Sequence, residues 1–394
     1  MTQRIYLDWN ATAPLRTEAR AAMLAALEHT GNPSSVHAEG RAARHLVETA
    51  REQVAALVGA PAGGVIFTSG GTEANMLALS PMIECSSGRG MLNRVLVSAV
   101  EHPSVRSGGR FPHDRIEEIP VTPDGTVDLA WLKARLEELY RCGEEVLVSI
   151  MHANNETGVV QPIAAAADIV NSVVDGVLHV DAVQTAGRIP CDIKALKACL
   201  LTISGHKLGG PQGTGALVMW SEHFPLDEPL IKGGGQERGH RAGTENVAAI
   251  AGFGAAAQAA ATTQAADRQR IAALRERLEV GLMAAAKETV IFGQGAERLP
   301  NTTLFAVPGC KAETAIMALD LEGIAASSGS ACSSGKVTAS HVLKAMRVDP
   351  ELAAGAIRLS LGWNTSETDI DGFLTAWRKL VSRLSRGVKS GLAA

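Results

Sequence analysis

Short apolar strands alternating with helical stretches from about residue 50 to residue 260 predict an α/β fold, a mostly parallel sheet wrapped by helices. An alanine-rich stretch from Asn246 to Lys287, broken only by glycines at 252, 254 and 281, reads as a long helix that leaves this unit. At 394 residues and 41.1 kDa the chain is also too long for one compact core. Two domains are therefore expected: a large one over 16–260, and a smaller α+β one built from 1–15 and 261–394.

Taken in order, Met1 to Asp8 runs directly into a strand-like pattern, with neither a signal-peptide apolar region nor an Arg/Ser-rich transit segment. A helical stretch from Arg41 to Val58 leads into the strand Val65–Thr68, a Gly-Gly-Thr turn and a helix from Glu73. Further strands are expected at Arg94–Ser98, Glu145–Ile150, Leu178–Asp181 and Ala216–Trp220. Each is a run of four to six mostly β-branched or apolar residues, too short for a helix. The small domain should contain strands at Asn301–Phe305 and Ile357–Ser360 and a last helix from Thr368 to Arg386. The Ser/Gly-rich run at 327–335 reads as a loop within that domain.

Composition excludes several functions. A net charge of -4 gives no electrostatic case for nucleic acid or an anionic membrane, and no apolar run can span a bilayer. Aromatics are only 4 % of residues, so the core must be mostly Ala, Val, Leu and Ile. Six scattered cysteines without Cys-x-x-Cys spacing suggest reduced thiols in the cytoplasm, with no disulfide framework and no metal site.

Chemistry concentrates around Lys207, in Ser204-Gly205-His206-Lys207 ahead of a glycine-rich run. Asp181 and Gln184 close an apolar strand upstream, where an open parallel sheet places functional groups. An amine that can form an imine, an acid for a ring nitrogen and hydroxyls for a phosphate are what pyridoxal 5'-phosphate requires. Gly71 and Thr72 open a helix after a strand and offer N–H groups and a hydroxyl to that phosphate, although a plain helix cap would look the same. Ser204 and His206 flank Lys207 closely enough to join them. His102 follows another strand and can stack on the pyridine and exchange protons, Gln184 can bond the phenolic oxygen, and Asn155 counts with this group only in combination. Cys332 stands in a loop of almost no side-chain bulk, Ser327 to Gly335, which suits a thiol that must travel.

These residues carry a resemblance over nearly the whole chain. Tyr6-Leu7-Asp8, Asn10-Ala11-Thr12, Gly31-Asn32-Pro33-Ser34-Ser35, Thr68 to Asn75, Glu101-His102 and Asn154 to Gly158 belong to it. So do Asp181 to Gln184, Ser204 to Lys207, Gly233 to Arg238, Arg241 to Asn246 and the Cys332 loop. The chain resembles the cysteine desulfurases of the NifS/IscS type, class V pyridoxal-phosphate enzymes of fold type I. The resemblance implies that L-cysteine becomes L-alanine while its sulfur passes to Cys332 as a persulfide. That sulfur then goes to an acceptor protein, a scaffold or carrier, for iron–sulfur cluster or other sulfur-cofactor biosynthesis. It implies catalytic roles for Lys207, Cys332 and His102, and a substrate carboxylate held by Arg358 with Asn155. It also implies a homodimer in which Thr244 of one subunit reaches the phosphate of the other.

Trp9, Ala13, His240 and Gly362-Trp363-Asn364 depart from the pattern that the resemblance leads one to expect. Another class V reaction, an aminotransferase or a selenocysteine lyase, would share the Lys207 site without needing Cys332. A dinucleotide-binding oxidoreductase does not fit, because Gly209 to Gly215 precede a strand, whereas the dinucleotide fingerprint follows one.

Overall fold

The computed structural model describes residues 4–83, 91–174, 176–226, 228–328 and 340–391, with side chains given up to residue 383. Strand β1 is Ile5–Tyr6. A seven-stranded sheet follows: β2 (Val65–Thr68), β3 (Arg94–Ser98), β4 (Ile116–Ile119), β5 (Val146–Ser149), β6 (Val177–Asp181), β7 (Leu200–Ser204) and β8 (Gly215–Met219). Their order is β2-β8-β7-β6-β5-β3-β4, with β8 antiparallel to both neighbours and every other pair parallel. The expected mostly parallel sheet is thus present. Strands β5, β6, β7 and β8 are buried at every residue, which is why their sequences are continuous apolar runs without alternation.

Two strands of this sheet go beyond the sequence expectation, as do three short ones outside it, Val290–Ile291, Ile324–Ala325 and Ser327–Ser328. β4, Ile-Glu-Glu-Ile, is an edge strand, and its charged residues keep that edge soluble: Arg135 forks onto Glu117 at 2.8 and 2.9 Å. β7 is a five-residue run ending at Ser204, immediately before the lysine turn. Helices Thr17–Leu27, Leu129–Arg141 and Ile163–Val173 also lie beyond the expectation.

The glycine-rich segment after Lys207 reverses the chain from β7 into β8. Gly209 and Gly213 sit at φ 91° and 77°, the left-handed region that glycine enters without strain. A Cβ on Gly215 would lie 2.5 Å from the Gly70 carbonyl carbon, so only glycine lets β8 approach the loop before the helix Gly71–Ala78.

The helix Val247–Ala285 is the spine of the molecule. Its first half adds Ile250, Phe253 and Ala257 to the core beside the large sheet; its second half adds Ile271, Leu274, Leu278 and Leu282 to another core. That second core is built on β9 (Val290–Ile291), β10 (Thr302–Ala306), β11 (Ile324–Ala325), β12 (Ser327–Ser328) and β13 (Ile357–Ser360). Four of these form an antiparallel sheet in the order β12-β13-β10-β9, while β1 pairs in parallel with β11. The N-terminal strand therefore packs with the C-terminal third of the chain, and Leu7 is buried in its core. Two of the departures noted in the sequence compensate one another. Trp9 meets Trp363 edge to face at 4.6 Å, and a Cβ on Gly362 would lie 2.0 Å from the Trp9 ring.

Trp377 of the last helix, Glu367–Gly391, is wholly buried, edge-on to Phe305 at 5.1 Å and stacked on Phe373 at 6.2 Å, with no partner for its indole N–H. Trp377→Ala should cost about 3–5 kcal/mol of unfolding free energy in a denaturant titration. Trp377→Phe, which loses no hydrogen bond, should cost less than about 1.5 kcal/mol.

Candidate active site

The parallel strands β3, β5, β6 and β7 all present their carboxyl ends at one edge of the sheet, and the chain that leaves each one turns into a shared cavity of about 290 Å³. Its walls include Gly71, Thr72, His102, Asn155, Asp181, Gln184, Ser204, His206 and Lys207, nine of the residues expected from the sequence. Asn10, Asn75, Ser104, Met151 and Val183 complete them.

Asp181 ends β6 and is 5 % exposed. Its carboxylate accepts hydrogen bonds from Asn75 Nδ2 at 2.9 Å and the Val183 N–H at 3.0 Å. No salt bridge reaches it among the described residues, and the carboxylate borders the cavity. Asn75 is itself steered by the helix Gly71–Ala78 and also donates to Ser104 Oγ at 2.9 Å.

Lys207 closes the short turn after β7, and its Nζ donates to the carbonyls of Asn10 at 2.6 Å and Ala11 at 2.8 Å. The N-terminal segment is pinned over this turn: the Ala13 N–H donates to His206 O and the Arg16 N–H to Gly209 O, both at 2.9 Å. His206 Nδ1 lies 2.7 Å from Thr12 Oγ1. Burial first, then the Lys207 and Arg188 charges, hold the His206 pKa down at about 4, so the ring is neutral at physiological pH.

His102 caps the turn Pro103–Arg106, with its Nδ1 accepting from the Ser104 N–H at 3.2 Å. That contact leaves the proton on Nε2 in the neutral ring. Burial lowers its pKa, opposed by Asp181 and reinforced by Lys207. Beneath it Glu101 is fully buried, its Oε1 accepting from Ser98 Oγ at 2.8 Å and the Met151 N–H at 2.5 Å. Burial and then the Asp181 charge drive the Glu101 pKa well above the ordinary carboxyl range, against the opposing Ser98 and Met151 hydrogen bonds.

Two expected residues lie apart from the cavity, and a third falls outside the described residues. Arg358 is 1 % exposed on β13; its guanidinium reaches Asp8 Oδ1 at 2.8 Å and Asn155 O at 3.0 Å, and its buried Nε has no partner. It touches the wall through Asn155. Thr244 is exposed and does not line the cavity. Cys332 lies outside the described residues. Sequence reasoning assigned no role to Asn10, Asn75, Glu101 or Arg188. The first three stand inside the quoted motifs, so position within those motifs was the available signal.

The donor set fits pyridoxal phosphate. A buried carboxylate suits a protonated ring nitrogen, and Lys207 lies in the same cavity. The amino-terminal N–H groups of the helix Gly71–Ala78, with Thr72, Ser204 and His206, form an anion-binding corner.

Comparison with known proteins agrees with this geometry. The family model of class-V aminotransferases matches residues 5–373. A cysteine desulfurase of Cereibacter sphaeroides is 40 % identical over 392 residues, covering 97 % of each chain. The cysteine desulfurase IscS of Dictyoglomus turgidum is 39 % identical, covering 98 % of this chain and 96 % of that one. Among solved structures, a NifS-like protein from Rickettsia africae superposes with a TM-score of 0.85 at 36 % identity, over 96 % of this chain and all of the other.

Glu156 follows Asn155 and is 4 % exposed, accepting from Ser340 Oγ at 2.6 Å. Burial raises its pKa from 4.5 to about 7, against the opposing Ser340 hydrogen bond and Arg358 charge. A carboxyl whose folded pKa lies above its unfolded value stabilises the fold fully below the unfolded pKa, and that stability fades as pH rises through the folded one. Wild type should therefore lose stability between pH 4.5 and 7, by up to roughly 3 kcal/mol from this group. Glu156→Gln should remove that slope in thermal unfolding measured across the same window; an unchanged slope would mean that Glu156 ionises normally.

Proposed function

The chain belongs to the class-V aminotransferase family, and from that premise we infer that it is a cysteine desulfurase, a pyridoxal-phosphate enzyme that takes sulfur from L-cysteine and leaves L-alanine. The observation that carries the reading is the buried Asp181 carboxylate, held by two hydrogen bonds, sharing one cavity with Lys207. Sulfur is the substrate element because the chain is similar along almost its full length to proteins named cysteine desulfurases.

Bound pyridoxal phosphate supplies an electron sink for the bond pair released when the substrate Cα loses a proton. Asp181 keeps a proton on the ring nitrogen, and its two hydrogen bonds prevent it from turning away. Gly71, Thr72, Ser204 and His206 hold the phosphate, and Gln184 serves the phenolic oxygen. Lys207 would hold the cofactor, and its amine, when free, would take the substrate Cα proton. Neutral His102 relays protons to and from the substrate sulfur and amine. Arg358 with Asn155 receives the substrate carboxylate, for which the unpartnered Nε and a guanidinium now shared with Asp8 provide donors. Cys332 as thiolate attacks the substrate sulfur. The S–S bond forms as the C–S bond breaks, the electron pair stays with carbon, and protonation there ends in alanine.

The persulfide on Cys332 then passes to an acceptor protein, a scaffold or carrier for iron–sulfur cluster or other sulfur-cofactor assembly. Two subunits make the working enzyme, Thr244 of each completing the phosphate site of the other; its exposure, away from its own cavity, supports this. The large domain, 16–260, carries the cofactor site, and the small one, 1–15 with 261–394, carries Cys332. A cytoplasmic setting suits a reactive thiol: no disulfide joins Cys142, Cys191, Cys199 and Cys310, and no helix among the described residues is long and apolar enough to cross a membrane.

In a single turnover with L-cysteine, wild type should yield alanine and a persulfide on Cys332, while Cys332→Ala binds substrate, perturbs the visible spectrum and stalls. Lys207→Ala should abolish turnover, and His102→Ala should slow it by ~100- to 10,000-fold without loss of cofactor. Equal alanine from wild type and Cys332→Ala would replace desulfuration with a lyase reaction on the same site.

A further inference from the structure

We propose that Arg188 is a positioning residue of this site, one that dictates which way the Gln184 amide faces and keeps a permanent positive charge behind Lys207. The inference rests on the reading above only through the cofactor, and its decisive test needs no substrate.

Arg188 lies in the turn that follows β6. Its Nη1 donates to Gln184 Oε1 at 2.5 Å, Asn10 Oδ1 at 2.7 Å and Gln184 O at 3.3 Å. Its Nη2 donates to Trp9 O at 3.2 Å and Lys207 O at 3.3 Å. All five acceptors are neutral, and no carboxylate pairs with the guanidinium among the described residues. Burial and the Arg358 charge lower its pKa, but a guanidinium retains its proton at neutral pH. Arg188 is half-buried, and a guanidinium drawn partly out of water without a carboxylate partner is costly, so an ion pair would have been the more favourable structural solution.

A guanidinium has only donors, so the end of an amide that faces it must be the oxygen. Arg188 therefore fixes Gln184 with its Nε2 on the other side, where it now donates to Asn10 O at 3.2 Å. That carbonyl also receives Lys207 Nζ, so one cation organises the cavity wall and the lysine together. Asn10 is set by the same rule: its Oδ1 faces Arg188, and its Nδ2 donates to Asn155 O at 3.2 Å and Thr302 Oγ1 at 2.9 Å.

The charges around Arg188 do not cancel it. Lys207 and His206 adjoin it from the turn after β7, and Arg358 acts on it from β13. Arg16, Asp267 and Arg268 line the small cavity on its other side, where the acid, Asp267, faces Arg270 at 3.7 Å. A fixed cation and an amide N–H aimed at the cofactor's phenolate both disfavour a proton on the nitrogen that joins Lys207 to the cofactor. Arg188 thus holds that nitrogen deprotonated at lower pH than it would otherwise reach.

The test is a pH titration of the visible absorbance of resting holoenzyme, for wild type, Arg188→Lys, Arg188→Gln and Gln184→Glu. Arg188→Gln should raise the midpoint by about one pH unit. Arg188→Lys, which retains the charge without the fork, should fall between the two. Gln184→Glu offers no donor and should raise the midpoint with Arg188 intact. With L-cysteine, Arg188→Gln should lower kcat by about tenfold and leave KM within about twofold, the pattern of a residue that does not hold substrate. Midpoints unmoved in Arg188→Gln and Gln184→Glu would overturn the proposal; where Arg188→Gln fails to fold or to bind cofactor, Gln184→Glu decides alone. A shifted midpoint in a protein that makes no alanine would overturn the desulfurase reading and leave this one standing. A folded wild type that takes up no cofactor would overturn both.

Discussion

The constraint on which the rest of the structure depends is a buried carboxylate that forms no salt bridge among the described residues. Asp181 is 5 % exposed, and its charge is supported by one side-chain amide and one backbone N–H. Leaving a charge in that state costs several kcal/mol unless something else satisfies it. The fold supplies the amide from the helix Gly71–Ala78 and leaves the remaining face of the carboxylate open to the cavity. A protonated ring nitrogen is the group we propose completes it. The helix is in turn fixed by the close approach of β8 at Gly215, so a glycine in a neighbouring strand helps to aim the amide that steadies the acid.

Around that charge the protein separates the protonation states of its titratable groups by burial. Glu101 and Glu156 are pushed towards the neutral acid; His206 and His102 are pushed towards the neutral base. Asp181 and Lys207 line the same cavity, and the Arg188 guanidinium lies behind the lysine, donating to its carbonyl. A neutral His102 can accept a proton as well as return one, whereas a permanently charged imidazolium beside Lys207 could only donate. The long helix Val247–Ala285 ties this arrangement to the sheet that holds Arg358, because it contributes side chains to both cores.

The legible part of the site was local. Gly71-Thr72, Asp181 with Gln184, and Ser204 to Lys207 each lie within a few residues at the end of one strand, so short windows of sequence contain them whole. The same holds for β2, β3 and β13, whose bounds match the expected ones. β7 escaped although it is buried like β5, β6 and β8, because its five residues sit directly against the more conspicuous lysine turn. β4 escaped because its two central glutamates mask an edge strand as a polar loop.

By itself the sequence determined the fold class, the cofactor and the identity of the residues at the strand ends, because periodicity, turn chemistry and clustered reactive side chains are properties of neighbours along the chain. Only the tertiary structure decided that Asn10 would meet Lys207 across 197 positions, that Trp9 would fill the space left by Gly362, and that Arg188 would find five neutral acceptors and, among the described residues, no acid. The reason is physical: burial and pairing depend on which distant segments the sheet order and the long helix bring together, and no local window contains that information.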